Sequence, residues 1–219
     1  MNRRLVSLLS GLILCITLLL GSGGCASATP PKTPPSDPVS VFVTDYGIHS
    51  SLILPLRADD GVYIEYAFGD FGYAALNRDG PLDALGALFC SIGSGIGRQY
   101  LRTPINGDVP ILIYEPKTMV RIQASQAKVN ELLQELEYRF NNAKGPVVHN
   151  ELTKINWRKD HPHYSAFNNC NQLTARQLKV LGYTVRGWVL FPMDIKGEPV
   201  NPQAWKDPSK DAGGLSGSR

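Results

Sequence analysis

One cysteine near the end of the chain lies within AFNNCNQLTARQLKVLG, where a helix is predicted to begin. Asparagine is among the best residues at a helix N-terminus, so Asn168 or Asn169 is expected to cap this helix. Cys170 then falls in the first turn, where unpaired backbone N–H groups and the helix dipole stabilise a thiolate. The same N–H groups can donate to a developing oxyanion. The position suits a nucleophile, although a cysteine is also often a small buried core residue.

A cysteine nucleophile needs a base, and the chain contains four histidines. His149, His161 and His163 fall in a segment, residues 144–167, that is polar and predicted to be irregular. They are therefore expected to be solvated. His161 and His163 form an H-x-H pair, but no cysteine or acidic cluster stands around them at the spacing of a zinc site. The sequence predicts neither a metal nor a cofactor.

His49 differs from the other histidines because it opens an otherwise apolar strand, HSSLILPL. The next predicted strand, VYIEYAFGD, carries Glu65. In a hairpin centred near residue 57 or 58, position 49 faces 65 or 67, so Glu65 is a direct or diagonal neighbour of His49. Both positions are odd, so both side chains point to one face. Glu65 is predicted to orient the imidazole as the third member of a Cys-His-acid set. The alternative is a surface pair that contributes little.

Strands and helices around these residues are predicted from the spacing of apolar side chains. Further strands are expected at VSVFVTDYG, VPILIYE, TMVRIQ and YTVRGWVLFP, and a helix at SQAKVNELLQELEYRFNNA. A short helix is expected near residues 80–93. Residues 93–108 contain four glycines and are predicted to form a loop. The fold class predicted is α+β, a mostly antiparallel sheet with a few packed helices.

Composition limits the classes of protein to which the chain can belong. Its 219 residues suffice for one domain with a core of its own, and 43% are hydrophobic while 19% are charged, as in a globular protein. The formal net charge is only +3. No basic face is implied, so no nucleic-acid partner is predicted.

The first residues have the pattern of an export signal. Two arginines precede an apolar run from Leu5 to Leu20, which is shorter than a membrane-spanning helix requires. Residues 1–24 are therefore predicted to be a signal peptide. The stretch LGSGGCASA resembles a bacterial lipobox, with Ser22 where leucine is usual. Cys25 is expected to be lipidated, and cleavage after Ala28 is the alternative.

The predicted boundaries of the domain follow from its flanks. Residues 25–38 include TPPKTPPSDP and are predicted to form an extended Pro-rich tether, residues 39–200 the domain, and residues 201–219 a disordered tail. Cys90 and Cys170 both belong to the domain. Export permits a disulfide between them, and such a bridge would abolish any thiol chemistry.

Three stretches, DYGIHSSLILP, YIEYAFGD and YSAFNNCNQLTARQL, resemble in this order a bacterial family known as domain of unknown function 2459, over residues 39–195. That family looks like the circularly permuted branch of the papain-like, NlpC-type superfamily. Lecithin-retinol acyltransferase-like proteins and several bacterial lipoproteins belong to this branch. In it a histidine strand comes first, an orienting polar residue lies on the next strand, and the cysteine heads a later helix. The resemblance implies a permuted papain-like fold with Cys170 as nucleophile, His49 as base and Glu65 as orienting residue.

These observations together predict a cysteine hydrolase that is exported and lipid-anchored to a membrane of the bacterial cell envelope. The superfamily resemblance implies cleavage of an amide bond in a peptidoglycan stem peptide, with an oxyanion site near Asn168 and Asn169. One alternative is an acyltransferase or thioesterase for lipid-linked acyl groups, which an apolar groove would mark. Another is a non-catalytic binding or scaffolding lipoprotein, to which a Cys90–Cys170 bridge would point.

Overall fold

The computed structural model describes residues 26–57, 60–77, 86–87, 91, 93–161 and 163–204. The predicted signal peptide, Cys25, Cys90 and the chain after residue 204 lie outside the described residues, as does most of the helix predicted near residues 80–93. Within the described ranges, no helix is long and apolar enough to cross a membrane.

An eight-stranded sheet, antiparallel between all neighbours, forms the centre of the described structure. In spatial order its strands are β12 (Glu198–Val200), β7 (Thr118–Ser125), β2 (Pro38–Asp45), β3 (Ser50–Pro55), β4 (Val62–Asp70), β5 (Ser94–Arg102), β9 (Asn156–Asp160) and β8 (Lys144–His149). The prediction of an α+β fold built on a mostly antiparallel sheet is confirmed.

Within the described residues, two α-helices pack against one face of this sheet. They are α1 (Gln126–Asn141) and α2 (Cys170–Val180), and a π-helical turn (Phe71–Ala75) follows β4. The apolar stripe of α1 is buried together with sheet residues such as Val41, Leu52 and Tyr66. Leu178 and other apolar residues of α2 enter the same core. This packing fixes where the first residue of α2, Cys170, lies relative to β3 and β4.

The N-terminal part of the described chain belongs to a second sheet. β1 (Ser27–Thr29) pairs antiparallel with β10 (Thr184–Arg186) and parallel with β11 (Asp194–Ile195). Ala26 and Ala28 alternate onto the core side and are buried. The start of the segment predicted as an extended tether is therefore packed at Ala26 and Ala28, because their small side chains fit against the core, whereas residues 29–38 are mostly exposed. A third sheet joins β6 (Ile111–Leu112) to β13 (Gln203–Ala204).

The loop predicted at residues 93–108 contains a long central strand instead, β5. Its glycines are explained by the neighbouring strand, which carries Trp157. A Cβ atom on Gly97 would lie 2.5 Å from Ile155 Cγ2 and 2.8 Å from Trp157 Cδ2. Glycine here admits the indole against the backbone of β5, a use of glycine in strands that composition alone does not reveal. Residues 144–167, predicted to be irregular, likewise contain β8 and β9.

Candidate active site

The asparagines around Cys170 hold the start of α2 in place. Asn169 is the N-cap: its side-chain oxygen accepts from the Gln172 N–H at 3.0 Å, and the Gln172 side chain accepts from the Asn169 N–H at 3.3 Å. Asn168 does not cap the helix. Its side chain donates to the His163 carbonyl at 2.7 Å and accepts from Arg176 at 3.1 Å. The two asparagines therefore have different roles.

Replacing Asn169 with alanine is expected to destabilise the protein by about 1–2 kcal/mol, the range for lost N-caps. The substitution also removes the bond from the Asn169 amide to the Leu190 carbonyl, which is 3.3 Å long. Urea unfolding followed by circular dichroism measures the change. Asn168→Ala is the matched control, because it removes the side-chain amide of the adjacent residue and leaves the N-cap of α2 intact. An equal loss of stability in both variants would contradict the role given to Asn169.

Cys170 is buried, with 3% of its surface exposed, yet it lines a pocket. Its sulfur lies 3.7 Å from the Tyr164 hydroxyl and 4.0 Å from the carbonyl of Ile48, to which the thiol donates. The backbone N–H of Ser50 also donates toward the sulfur. Cys170 is a free cysteine in the structure. A substrate must therefore enter the pocket to reach the thiol.

His49 lies in the turn that joins β2 to β3. The turn is closed by a bond from the Tyr46 N–H to the His49 carbonyl at 2.8 Å, and Gly47 has φ +100°, a conformation that favours glycine. Asn171 ties α2 to this turn through a bond to the Ile48 carbonyl at 3.1 Å. Ser50 donates to the Asn171 side chain at 2.8 Å. These contacts bring His49 and Cys170, distant in sequence, to one wall of the pocket.

The two side chains shift each other's pKa. Burial opposes ionisation of Cys170, but the positive charge of His49 and hydrogen bonds from His49 and Tyr164 outweigh it and lower the pKa of the thiol to about 7. Burial also opposes protonation of His49, but the charge of the Cys170 thiolate, a hydrogen bond to it and the charge of Glu65 raise the pKa of the imidazole. Near neutral pH the site is poised to exchange a proton between sulfur and imidazole.

Glu65 lies in the sheet as predicted, but its hydrogen bonds differ from the prediction. Ile53 pairs with Glu65, so the hairpin register places Glu65 nearer to Ser51 than to His49. Within the described residues, Ser51 and Gln99 donate to its two carboxylate oxygens, and His49 does not. The carboxylate reaches His49 through its charge alone.

A row of polar side chains crosses four adjacent strands at this level of the sheet. Thr44 bonds to Ser51 at 2.7 Å, Ser51 to Glu65, and Glu65 to Gln99. All four residues are buried. Sequence reasoning missed Gln99 because its strand was predicted to be a loop. The place of Ser51 beside the carboxylate could have been predicted, because Ser51 and Glu65 both have odd numbers, as has His49, and so were expected to point to the same face of the sheet.

Tyr46 links this polar row to His49. Burial and the charge of Glu65 raise the pKa of Tyr46 far above its usual range, so the phenol stays protonated. Its ring lies against the imidazole, with centroids 6.1 Å apart. Tyr46 therefore limits the orientations open to the His49 ring.

The pocket has a volume of about 620 Å³, within the usual range of ligand sites of roughly 300–1,000 Å³. Most of its wall is aromatic or aliphatic, and among its described lining residues the ionisable groups besides tyrosines and Cys170 are His49, Glu65 and Asp70. No lysine or arginine belongs to that lining. The apolar part of the wall includes Ile48, Phe68, Leu152, Ile155, Trp157, Leu190 and Phe191.

Tyr164 is a second residue that sequence reasoning missed. Its ring packs on Phe68, with centroids 5.6 Å apart, and its hydroxyl contacts the Cys170 sulfur. Burial and the nearby thiolate raise the pKa of Tyr164, so the phenol remains a donor. Tyr164 lies six residues before the cysteine in the sequence, but only the folded structure shows that their side chains are in contact.

Tyr164→Phe is expected to raise the pKa of Cys170 by about one unit, since a hydrogen bond to a charged group contributes about 1.5–3 kcal/mol. The pH dependence of thiol alkylation measures this. Tyr114→Phe is the control, because it removes another pocket hydroxyl from a tyrosine that is nearly half exposed. An unchanged titration in Tyr164→Phe would remove Tyr164 from the set of groups that stabilise the thiolate.

The site lacks the features of a metal centre. Within the residues that the structure describes, no group of three or more histidine, cysteine, aspartate or glutamate side chains could hold an ion. His161 and His163 are exposed, away from the pocket lining. Comparison of the chain with protein-family models, with curated proteins and with solved structures finds no match.

Proposed function

We propose that the protein is a cysteine-dependent acyl hydrolase or acyltransferase, with Cys170 as nucleophile and His49 as base. The observation that carries this proposal is the pair itself, a buried thiol and a half-buried imidazole at the wall of a pocket, in which the imidazole lowers the pKa of the thiol to about 7. A merely structural cysteine gains nothing from such a partner, whereas a nucleophile must be activated by one.

The chemistry follows from these groups. His49 takes the thiol proton, the sulfur attacks the carbonyl carbon, and the carbonyl electrons move to oxygen. Backbone N–H groups in the first turn of α2 can donate to this oxyanion. The intermediate collapses to a thioester on Cys170, and the leaving group departs with the proton from His49. Water, or another acceptor, then attacks the thioester with His49 as base and regenerates the thiol.

The composition of the pocket favours an acyl substrate with an apolar chain. An aliphatic acyl group fits a wall of aromatic and aliphatic side chains, and an ester or thioester needs no cationic residue for binding. The carboxylates of a peptidoglycan stem peptide would meet Glu65 and Asp70 in the pocket and no lysine or arginine. The alternative predicted from the sequence, action on lipid-linked acyl groups, is therefore the preferred function.

Amide hydrolysis of a stem peptide is the second candidate. It uses the same cysteine and histidine, and Asp70 in the pocket wall favours it, because this carboxylate could pair with the ammonium group of a diamino acid.

The order of histidine, acid and cysteine, together with a helix headed by the cysteine on an antiparallel sheet, supports the permuted papain-like fold. Export and lipidation at Cys25 belong to the same proposal and rest on the N-terminal sequence.

Covalent trapping distinguishes the two candidates. The protein is incubated with acetyl, octanoyl or palmitoyl thioesters, and the reaction is quenched with acid. After digestion, mass spectrometry measures the mass of the peptide that carries Cys170. We expect an octanoyl or palmitoyl adduct that is absent from Cys170→Ala. Release of products from muropeptides without acylation by the thioesters would favour the second candidate. No turnover of either substrate would leave a non-catalytic role.

A further inference from the structure

Four apolar side chains, Ile48, Phe167, Trp188 and Phe191, form an exposed edge beside the pocket, here called the rim. Ile48 and Phe191 line the pocket and are 65% and 55% exposed. Phe167 follows the pocket residue Ala166 and stacks on Trp188, with ring centroids 6.2 Å apart. Exposed apolar side chains grouped beside a pocket indicate a contact with a partner or a membrane.

The N-terminal strand enters the fold beside this rim. Ser27 pairs with Arg186 on one side and Asp194 on the other, and these two residues bound the segment that carries Trp188 and Phe191. The Asp194 N–H also donates to the Ala26 carbonyl at 2.9 Å. Ala26 and Ser27 are therefore joined directly to the two residues that bound this segment of the rim.

The length of the chain before Ala26 limits how far the rim can be from a membrane. Leu20 ends the apolar run and five residues separate it from Ala26, a span of at most about 20 Å. A lipid on Cys25 would be held closer still, because Cys25 is bonded to Ala26. Either form of anchor would keep the rim within reach of the bilayer surface. Lys117, whose side chain lies over Gly47 in the turn that carries Ile48, adds a cation for lipid phosphates.

We propose that the rim docks on a lipid bilayer, its aromatic side chains entering the interface, so that the pocket receives the acyl group of a membrane lipid. Trp and Phe suit the interface between headgroups and acyl chains because their large apolar rings can be buried there. Docking rests on the rim, on the N-terminal strand and on the N-terminal anchor, which is part of the proposed function. The choice of a membrane lipid as substrate rests also on the proposed function.

Quenching of Trp188 in the full-length protein tests docking. The protein is reconstituted into phosphatidylethanolamine and phosphatidylglycerol vesicles whose acyl chains carry bromine. The difference in fluorescence between the wild type and Trp188→Phe isolates Trp188 from the other tryptophans. We expect the bromine to quench this difference signal. An unquenched Trp188 would overturn docking. This holds also where the apolar N-terminal run of the chain itself covers Trp188 and shields it from the bromine.

Turnover measurements separate this inference from the proposed function. Phe167→Ser combined with Trp188→Ser is expected to slow hydrolysis of vesicle lipid at least tenfold, because the two aromatic side chains that enter the interface are lost. Hydrolysis of soluble octanoyl thioester should be unchanged. Ile105→Ser combined with Tyr138→Ser is the control, because both residues are highly exposed and are not rim residues. Equal slowing in the control contradicts docking, whereas no hydrolysis of the soluble thioester by the wild type contradicts the proposed function instead.

Discussion

Alkylation of Cys170 by iodoacetamide is expected to proceed at neutral pH and to slow about tenfold in His49→Ala. In the wild type the reactive thiolate is populated as the pH rises through a pKa of about 7. Removal of His49 deletes the positive charge and the hydrogen bond that lower this pKa, while burial continues to raise it. The titration must therefore move to higher pH. The larger intrinsic nucleophilicity of a more basic thiolate offsets part of the loss.

Rates are measured from pH 5 to 9 by mass spectrometry of the peptide that carries Cys170, so that the other cysteines need not be replaced. His149→Ala is the matched control, because His149 is exposed and bonds to Asn156 outside the pocket. Identical profiles for wild type and His49→Ala would show that the histidine does not activate the thiol. A Cys170 that reacts only after denaturation would identify it as an inert core residue.

Glu65→Leu is expected to lower the free energy of unfolding by about 3 kcal/mol, because it leaves buried donors without their acceptor. The carboxylate is 3% exposed and is bonded to Ser51 and Gln99. Leucine fills a similar space but accepts no hydrogen bond. Glu65→Gln should cost less, since an amide can still accept from Gln99 and the Ser51 hydroxyl can turn toward Thr44.

Urea unfolding of both variants measures the effect on stability, with the slope m compared to check that the transition stays two-state. Glu65→Gln also tests the electrostatic link to the site. Loss of the negative charge should lower the pKa of His49, because Glu65 raises it, and should slow alkylation less than His49→Ala does. Equal stability of Glu65→Leu and wild type would mean that the polar row is not needed for folding.

Local patterns were enough to predict the strand that carries Glu65, the strand that begins directly after His49 and the helix that Cys170 begins. Alternation of apolar residues and the position of an asparagine before the helix are properties of neighbouring residues, so a single sequence reveals them. The same kind of reasoning failed at β5, where Gly95 and Gly97 suggested a loop. Their role depends on Trp157, which lies about 60 residues away and contacts them only after the sheet has formed.

The sequence by itself determined which residues have the chemistry of a thiol nucleophile and its base, because side-chain type and helix position are local properties. The tertiary structure decided what surrounds them. The registers of β4 with β3 and with β5 placed Glu65 beside Ser51 and Gln99. Packing brought Tyr164 to the sulfur and Tyr46 to the imidazole, and sheet pairing joined Ser27 to Arg186, two residues before Trp188. Each of these contacts joins residues through strand register or helix packing. A shift of one residue in the register would turn a side chain to the other face of the sheet, so these partners are fixed only when the whole fold is formed.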